Sequence, residues 1–184
     1  NKDKIYEFEI LVGASTDSYD LLGLIIDSER SYEAPLESQV ADAIESLQGT
    51  FQQKYPPFSS YAVEGKPLWK WAKEGRIKEI SIPSKEVKVF DSIFLGYKEK
   101  YAKEIHRDIA LKIKKVGGNF RQKKILDAWE EYFRNLNTET LQIVKGRAVV
   151  SSGTYIRGFT KNIEKSLGLP CCVYSLKRTG FLGL

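Results

Sequence analysis

Between Lys98 and Asn135 the apolar residues recur at helical spacing, and this stretch constrains the fold more than any other. Tyr101, Ile105, Ile109, Ile113 and Val116 form one amphipathic stripe. Ile125, Ala128, Trp129, Tyr132 and Phe133 form another, and Gly117-Gly118 breaks the run between them. Two helices joined as a hairpin are expected. On either side the pattern is that of strands. Lys4 to Val12 is strand-like, Gly13 to Asp20 is a polar turn region, and Leu21 to Asp27 is a second apolar run. Together these predict a β-hairpin with a long loop. Pro35 opens a helix whose stripe is Leu36, Val40, Ile44 and Leu47, and Gly49 stops it. Gln48 to Ser60, with Pro56-Pro57, reads as extended. Leu68 to Lys73 reads as a short helix ended by Gly75, and Ile80–Ile82 and Val87–Leu95 as strands broken at Pro83. Thr138 to Ser151 is strand-like, Tyr155 to Leu167 helical with Gly168 at its end, and Cys171 to Leu176 a last strand. Strands and helices segregated in this way indicate an α+β fold rather than parallel βαβ units.

A chain of 184 residues with 42% hydrophobic content fits one domain, or one and a half, with a real core, and residues 1–184 are taken as one domain. The formal net charge is +5, and its placement says more than its size. Lys98 to Arg134 holds 11 Lys/Arg against 6 Asp/Glu, and Lys145 to Leu184 holds 7 against 1. The rest of the chain then carries a net −6, and basic charge gathered in this way is the pattern of a nucleic-acid face, although a solvated lysine-rich surface gives the same counts. The two cysteines, Cys171 and Cys172, are adjacent, a spacing that rarely satisfies disulfide geometry. With a single histidine, His106, and no CxxC, a Cys/His metal site is not expected. A reducing, cytoplasmic setting follows from the cysteines. No apolar run is long enough to span a bilayer.

Three segments carry a family resemblance. The first is Lys4-Ile5-Tyr6 followed by Gly13-Ala14-Ser15-Thr16-Asp17-Ser18-Tyr19-Asp20 and Gly23. The second runs from Gly49-Thr50-Phe51 and Gln53 through Pro56-Pro57-Phe58-Ser59-Ser60 to Gly65-Lys66-Pro67-Leu68, Ala72 and Gly75. The third is Gly153-Thr154-Tyr155-Ile156-Arg157, with Leu167-Gly168 and Ser175-Leu176-Lys177-Arg178-Thr179-Gly180. In this order and spacing they resemble the bacterial tRNA pseudouridine synthases of the TruB type. The resemblance implies a pseudouridine-synthase fold, with a mixed, mainly antiparallel sheet, flanking helices and residues 98–135 as an inserted helical hairpin. The C-terminal PUA-like domain of some members of that family is expected to be absent from this chain, a departure from the resemblance. The implied activity is isomerisation of the T-loop uridine of tRNA to pseudouridine, with the T-arm as partner.

That reaction breaks an N-glycosidic bond, turns the uracil and rejoins it through carbon. A carboxylate nucleophile can do this without metal or cofactor. In the family the nucleophilic Asp lies in a Gly-rich loop upstream of the strand that holds Tyr6, and residues 1–184 contain no match to it. Asp17 and Asp20 belong to the downstream loop and are not taken as nucleophiles. The chain by itself is therefore expected to be inactive. Its part of the site would be Arg157, which aims the carboxylate through its planar fork, and Tyr6, which stacks on the base. Tyr155, Ile156 and Leu176 would line the substrate pocket. Lys66, Trp69, Lys70, Lys73 and Arg76, which interleave cations with tryptophan, would hold RNA together with Lys177 and Arg178. The plainer readings are a core tyrosine at position 6, a core leucine at 176 and a solvated face over Lys112–Lys124. Other readings of the whole chain are a non-catalytic RNA binder or tRNA chaperone of the same fold, one part of a two-chain enzyme with the Asp segment on a second chain, or an interaction module built on the helical hairpin.

Overall fold

The computed structural model describes residues 2–182. In chain order these form β1 (Asp3–Val12), β2 (Ala14–Thr16), β3 (Ile25–Ser28), α1 (Glu37–Glu45), β4 (Gly49–Lys54), β5 (Ala62–Val63), β6 (Lys66–Pro67) and α2 (Leu68–Lys73). Then follow β7 (Ser84–Tyr101), α3 (Ala102–Lys115), α4 (Gln122–Arg134), β8 (Thr140–Val150), α5 (Phe159–Leu167) and β9 (Cys171–Leu182). The main sheet has the order β4-β7-β8-β1-β9, and its neighbours pair antiparallel. The fold is α+β, as the segregated periodicities indicate.

The sheet is covered on both faces because its strands alternate two apolar sets. Phe8, Ile10 and Val12 of β1 join Val144, Ala148 and Val150 of β8 under Val40, Ala43 and Ile44 of α1 and Phe159 and Ile163 of α5. On the opposite face Leu11, Leu141, Ile143 and Cys172 join Ile105, Ile109 and Ile113 of α3 and Ile125, Trp129 and Tyr132 of α4. Ile105, Ile109 and Ile113 of the first stripe and Ile125, Trp129 and Tyr132 of the second are thus buried in a core of their own, whereas Val116, expected in the first stripe, is exposed just past the end of α3. Cys171 and Cys172 point to opposite faces, and both are free thiols.

Three expectations need correction. The strand pairing is different: β1 pairs with β8 and β9, while Ile25–Ser28 pairs with Ala14–Thr16 in a small separate sheet. The helical stretch begins at Ala102 rather than Lys98. Residues 98–101 extend the ladder with β8, Lys98 opposite Ile143 and Tyr101 opposite Thr140, so Tyr101 is exposed and outside the helical stripe. Ile80–Ile82 forms no strand, since a 3-10 turn at Ile77–Glu79 and Pro83 leave it without a partner. Two further ends shift. β9 continues to Leu182, and the helix expected from Tyr155 opens as a 3-10 turn at Ile156–Gly158 before α5.

Candidate active site

The loop after β2 is built as a holder for two carboxylates. The Asp17 carboxylate accepts the Leu24 N–H at 2.9 Å, and the Asp17 N–H donates to the Leu24 carbonyl at 2.9 Å. The Asp20 Oδ1 accepts the Ser18 hydroxyl at 2.7 Å and the Leu22 N–H at 2.9 Å. Thr16 donates its hydroxyl to the Asp20 carbonyl at 2.6 Å. Gly23 allows the turn to close, because a Cβ there would lie 2.4 Å from the Ser18 Oγ and 2.8 Å from its backbone nitrogen. The loop is tied to the sheet edge by the Val173 N–H, which donates to the Tyr19 carbonyl at 2.9 Å.

Arg157 reaches this loop from the 3-10 turn that leads into α5. Its Nη1 donates to the Ser18 carbonyl at 2.9 Å and to the Asp20 Oδ2 at 3.3 Å, and its Nη2 to the Phe58 carbonyl at 3.2 Å. A guanidinium has five N–H donors. Two of Arg157's therefore remain without a partner among the described residues. The turn is pinned by Gln53, which accepts the Tyr155 N–H and donates to the Tyr155 carbonyl, both at 2.9 Å. Gly158 leaves room for that glutamine, since a Cβ would lie 2.7 Å from its Nε2.

Beside the Arg157–Asp20 pair opens a cavity of about 340 Å³. Leu22, Lys112, Tyr174 and Leu176 line it together with Asp20 and Arg157. The Lys112 ammonium donates to the Tyr174 carbonyl at 2.8 Å and lies 4.2 Å from the centre of its ring. Loss of water around this amine lowers its pKa, against the pull of Glu9 and Asp108. An apolar recess with an arginine–carboxylate pair at its wall can hold a flat, polar-edged ring and orient a charged group beside it.

The structure brings Arg157 and Leu176 together in this cavity and places other expected site residues elsewhere. Tyr6 is half-buried against the core cluster that contains Ile156 and Phe159, and it does not line the cavity. Ile156 is itself in that core, 3% exposed. Tyr155 sets its ring edge-on to Tyr55 at 5.8 Å, and Tyr55 stacks on Tyr61 at 3.9 Å. Lys177 and Arg178 are exposed on β9, where the Arg178 guanidinium covers Phe181 at 4.9 Å. In the Gly65–Arg76 segment Trp71 is docked inward, its indole donating to the Val63 carbonyl at 3.3 Å, while Trp69 is 43% exposed. Lys66 pairs with Glu74, and Arg76 with Glu79 at 2.7 Å; both cations also lie over the Trp71 ring. Lys70 and Lys73 form no ion pair among the described residues.

Three participants were not singled out from the sequence. Asp20 stands in the family loop, but its partnership with Arg157 spans 137 residues. Lys112 is one lysine in a basic cluster, and only the packing of α3 on Tyr174 marks it out. Arg121 grips Asp17 through both carboxylate oxygens, at 2.7 and 3.2 Å, and no local pattern announces that pair.

The TruB family pseudouridylate synthase (N terminal domain) model matches residues 1–119. The chain is 29% identical over 180 residues to the tRNA pseudouridine synthase B of Bacillus pumilus (strain SAFR-032), covering 98% of this chain and 46% of that protein. It is 28% identical over 183 residues to the tRNA pseudouridine synthase B of Lactobacillus delbrueckii subsp. bulgaricus, covering 99% and 49%. Against the tRNA pseudouridine synthase B of Syntrophus aciditrophicus the identity is 26% over 176 residues, covering 96% and 42%. The chain spans about half the length of these curated relatives. A family model that takes in the Asp17–Asp20 loop and the Gly65–Arg76 segment, with relatives that extend the match through Arg157, means that the chain belongs to the TruB family of pseudouridylate synthases.

Proposed function

We propose that this chain is the RNA-holding and base-orienting part of a tRNA pseudouridine synthase that converts the T-loop uridine, flipped out of its stack, to pseudouridine. The observation that carries the reading is the Arg157 fork at the wall of the apolar cavity. Two backbone carbonyls and Asp20 fix it, yet two of its donors have no partner among the described residues. Such a fork can take a second carboxylate in a set orientation, which is what aiming a nucleophilic aspartate requires. Leu176 and Leu22 supply apolar walls for the uracil. Tyr6 and Tyr155 stand outside the lining of this cavity and are proposed to hold the detached base from beside it. Trp69, Lys70 and Lys73 with Lys66 and Arg76, and Lys177 with Arg178, are proposed contacts to the T-arm.

The nucleophile itself is not assigned to any carboxylate described above. Asp20 already spends Oδ1 on the Ser18 hydroxyl and the Leu22 N–H and presents Oδ2 to Arg157, which makes it a positioning residue. The 184-residue chain alone is expected to bind T-arm RNA without turnover. Release of tritium from tRNA carrying 5-tritiated uridine measures turnover, because the C5 hydrogen leaves when that carbon joins the ribose. Titration of a T-arm hairpin against an unrelated hairpin measures binding. Robust tritium release by the pure chain would place the nucleophile among these residues. Equal, weak binding of both hairpins would remove the RNA reading.

A further inference from the structure

We propose that a second cavity, of about 420 Å³, is a binding site for an unpaired nucleobase of the same RNA, close to the one held beside Arg157. The inference rests on the RNA reading above and adds a site to it. The cavity lies between the Pro56–Arg76 segment and the turn joining α3 to α4, and Phe58, Trp69, Lys73, Asn119, Phe120 and Arg121 line it. Its volume falls within the range of about 300–1,000 Å³ usual for small-ligand sites.

Three features favour a nucleotide. The lining offers three aromatic rings and two cations and contains no carboxylate. Of these, Trp69 and Phe120 can stack a base and Lys73 can attract its phosphate, while Arg121, neutralised by Asp17, covers Phe58 and shapes the wall; stacking tolerates any base because every base has a π-face. Trp69 is the outward tryptophan of its helix, so its face remains available, whereas Trp71 is only 8% exposed.

The second feature is that the cavity is a built structure. Lys73 donates to the Asn119 carbonyl at 2.6 Å, joining the two walls. Arg121 lies 4.5 Å above the Phe58 ring while both of its terminal nitrogens hold Asp17. It does so with φ at 74°, a left-handed backbone that is strained for a residue with a side chain. The Asp17 grip and the Phe58 contact offset that strain and set Phe120 beside Trp69 in the lining.

The third is continuity with the Arg157 cavity. Phe58 offers its carbonyl to Arg157 and its ring to the second cavity. One residue therefore separates the two sites, and a strand with one base beside Arg157 brings a nearby base to the Trp69–Phe120 recess. The α3–α4 hairpin contributes to both, through Lys112 in the first and Phe120 in the second.

The test is fluorescence anisotropy of a labelled T-arm hairpin on the 184-residue chain, with abasic substitutions scanned through the loop. Trp69→Ala and Phe120→Ala should each weaken binding roughly 5- to 150-fold, the loss expected for removing one stacked base. Phe120→Tyr keeps the ring and should bind like the parent. One abasic position should weaken the parent as much as Phe120→Ala does, and should cost nothing further in that variant. Because Trp69 is exposed, its alanine variant should melt like the parent, so its binding loss cannot be read as unfolding. Parent-like affinity in both alanine variants, or fully additive losses at every abasic position, would overturn the base site while leaving the RNA reading intact. A parent chain that does not prefer the T-arm hairpin overturns the RNA reading and this inference with it.

Discussion

Removing the Trp129 indole tests whether the α3–α4 hairpin shares the core of the sheet or merely leans on it. Trp129 is 0% exposed, and its indole N–H donates to the Leu21 carbonyl at 3.1 Å. Leu21 follows Asp20, so this bond links the hairpin to the carboxylate that positions Arg157. Trp129→Ala loses the apolar burial and leaves a cavity, at about 3–5 kcal/mol. It also strands the buried Leu21 carbonyl, at about 1–3 kcal/mol. The total of roughly 4–8 kcal/mol is comparable with the whole stability of a domain, about 5–15 kcal/mol. Trp129→Phe keeps a ring and chiefly strands the carbonyl. At about 2–4 °C per kcal/mol for a chain of this size, its Tm should fall by roughly 2–12 °C. Calorimetry and far-UV circular dichroism on the three proteins provide the measurement. The alanine variant should lose its single cooperative transition or melt far below the phenylalanine variant. A main transition unchanged in Trp129→Ala, with only helical signal lost beforehand, would refute the shared core. An unchanged Tm in Trp129→Phe would refute the contribution assigned to the indole bond.

Other outcomes follow from the same geometry. Gly23→Ala should cost about 1–3 kcal/mol, read as a lower urea midpoint, because its Cβ must displace the Ser18 backbone. Burial raises the pKa of Glu9, but its bonds to the Ser175 hydroxyl and Lys98 outweigh this and leave it below the ordinary glutamate value. A depressed carboxylate stabilises the fold above its unfolded pKa near 4.3, and that contribution is lost as pH falls through the folded value. Glu9→Gln should therefore flatten the dependence of Tm on pH below about 5, and an unaltered pH profile would remove Glu9 from the account. In a protein that joins this chain to an Asp-bearing loop, Arg157→Lys should lower turnover far more than tRNA affinity, since a point charge cannot replace the planar fork. Tyr6→Phe retains the ring and should bind T-arm RNA nearly as well as the parent, as the same titration will read.

Helices were the legible part of the fold. Ile105, Ile109 and Ile113 recur every four residues and are each 0% exposed, as one buried stripe requires. Strand partners were not legible, because alternation tells which face a residue takes and nothing of its neighbour. For that reason alternation alone puts Leu21–Asp27 beside β1, while in the structure Ile25–Ser28 pairs antiparallel with Ala14–Thr16, with an irregularity between Ser15 and Thr16. Tyr101 fits the spacing of the α3 stripe, yet the ladder to Thr140 holds it in β7. At the site, Arg157 and Leu176 could be found because each stands in a recognisable segment. Asp20 as its partner, and Lys112 and Phe120 as cavity walls, could not. Those roles depend on where α3 and the α3–α4 turn pack, and packing is set by both faces of the sheet together.

Two of the three groups that hold Arg157 are main-chain carbonyls, those of Ser18 and Phe58. Side-chain substitution cannot delete them, so the arginine keeps its place as long as the loop and the Pro56–Ser60 segment keep theirs. Asp20 adds direction and partial charge neutralisation at 3.3 Å, a looser contact than the 2.7 Å by which Arg121 holds Asp17. A tight, fully neutralised pair would leave the fork little attraction for another anion. Carbonyl anchoring with a longer carboxylate contact keeps the guanidinium fixed in space and still electropositive. In the proposed reaction, that state aims an incoming carboxylate without burying it in a finished salt bridge. The α3–α4 hairpin serves the same end from the far side. Trp129 fixes Leu21, Arg121 fixes Asp17, and the two ends of the Asp17–Asp20 loop are held by a single element.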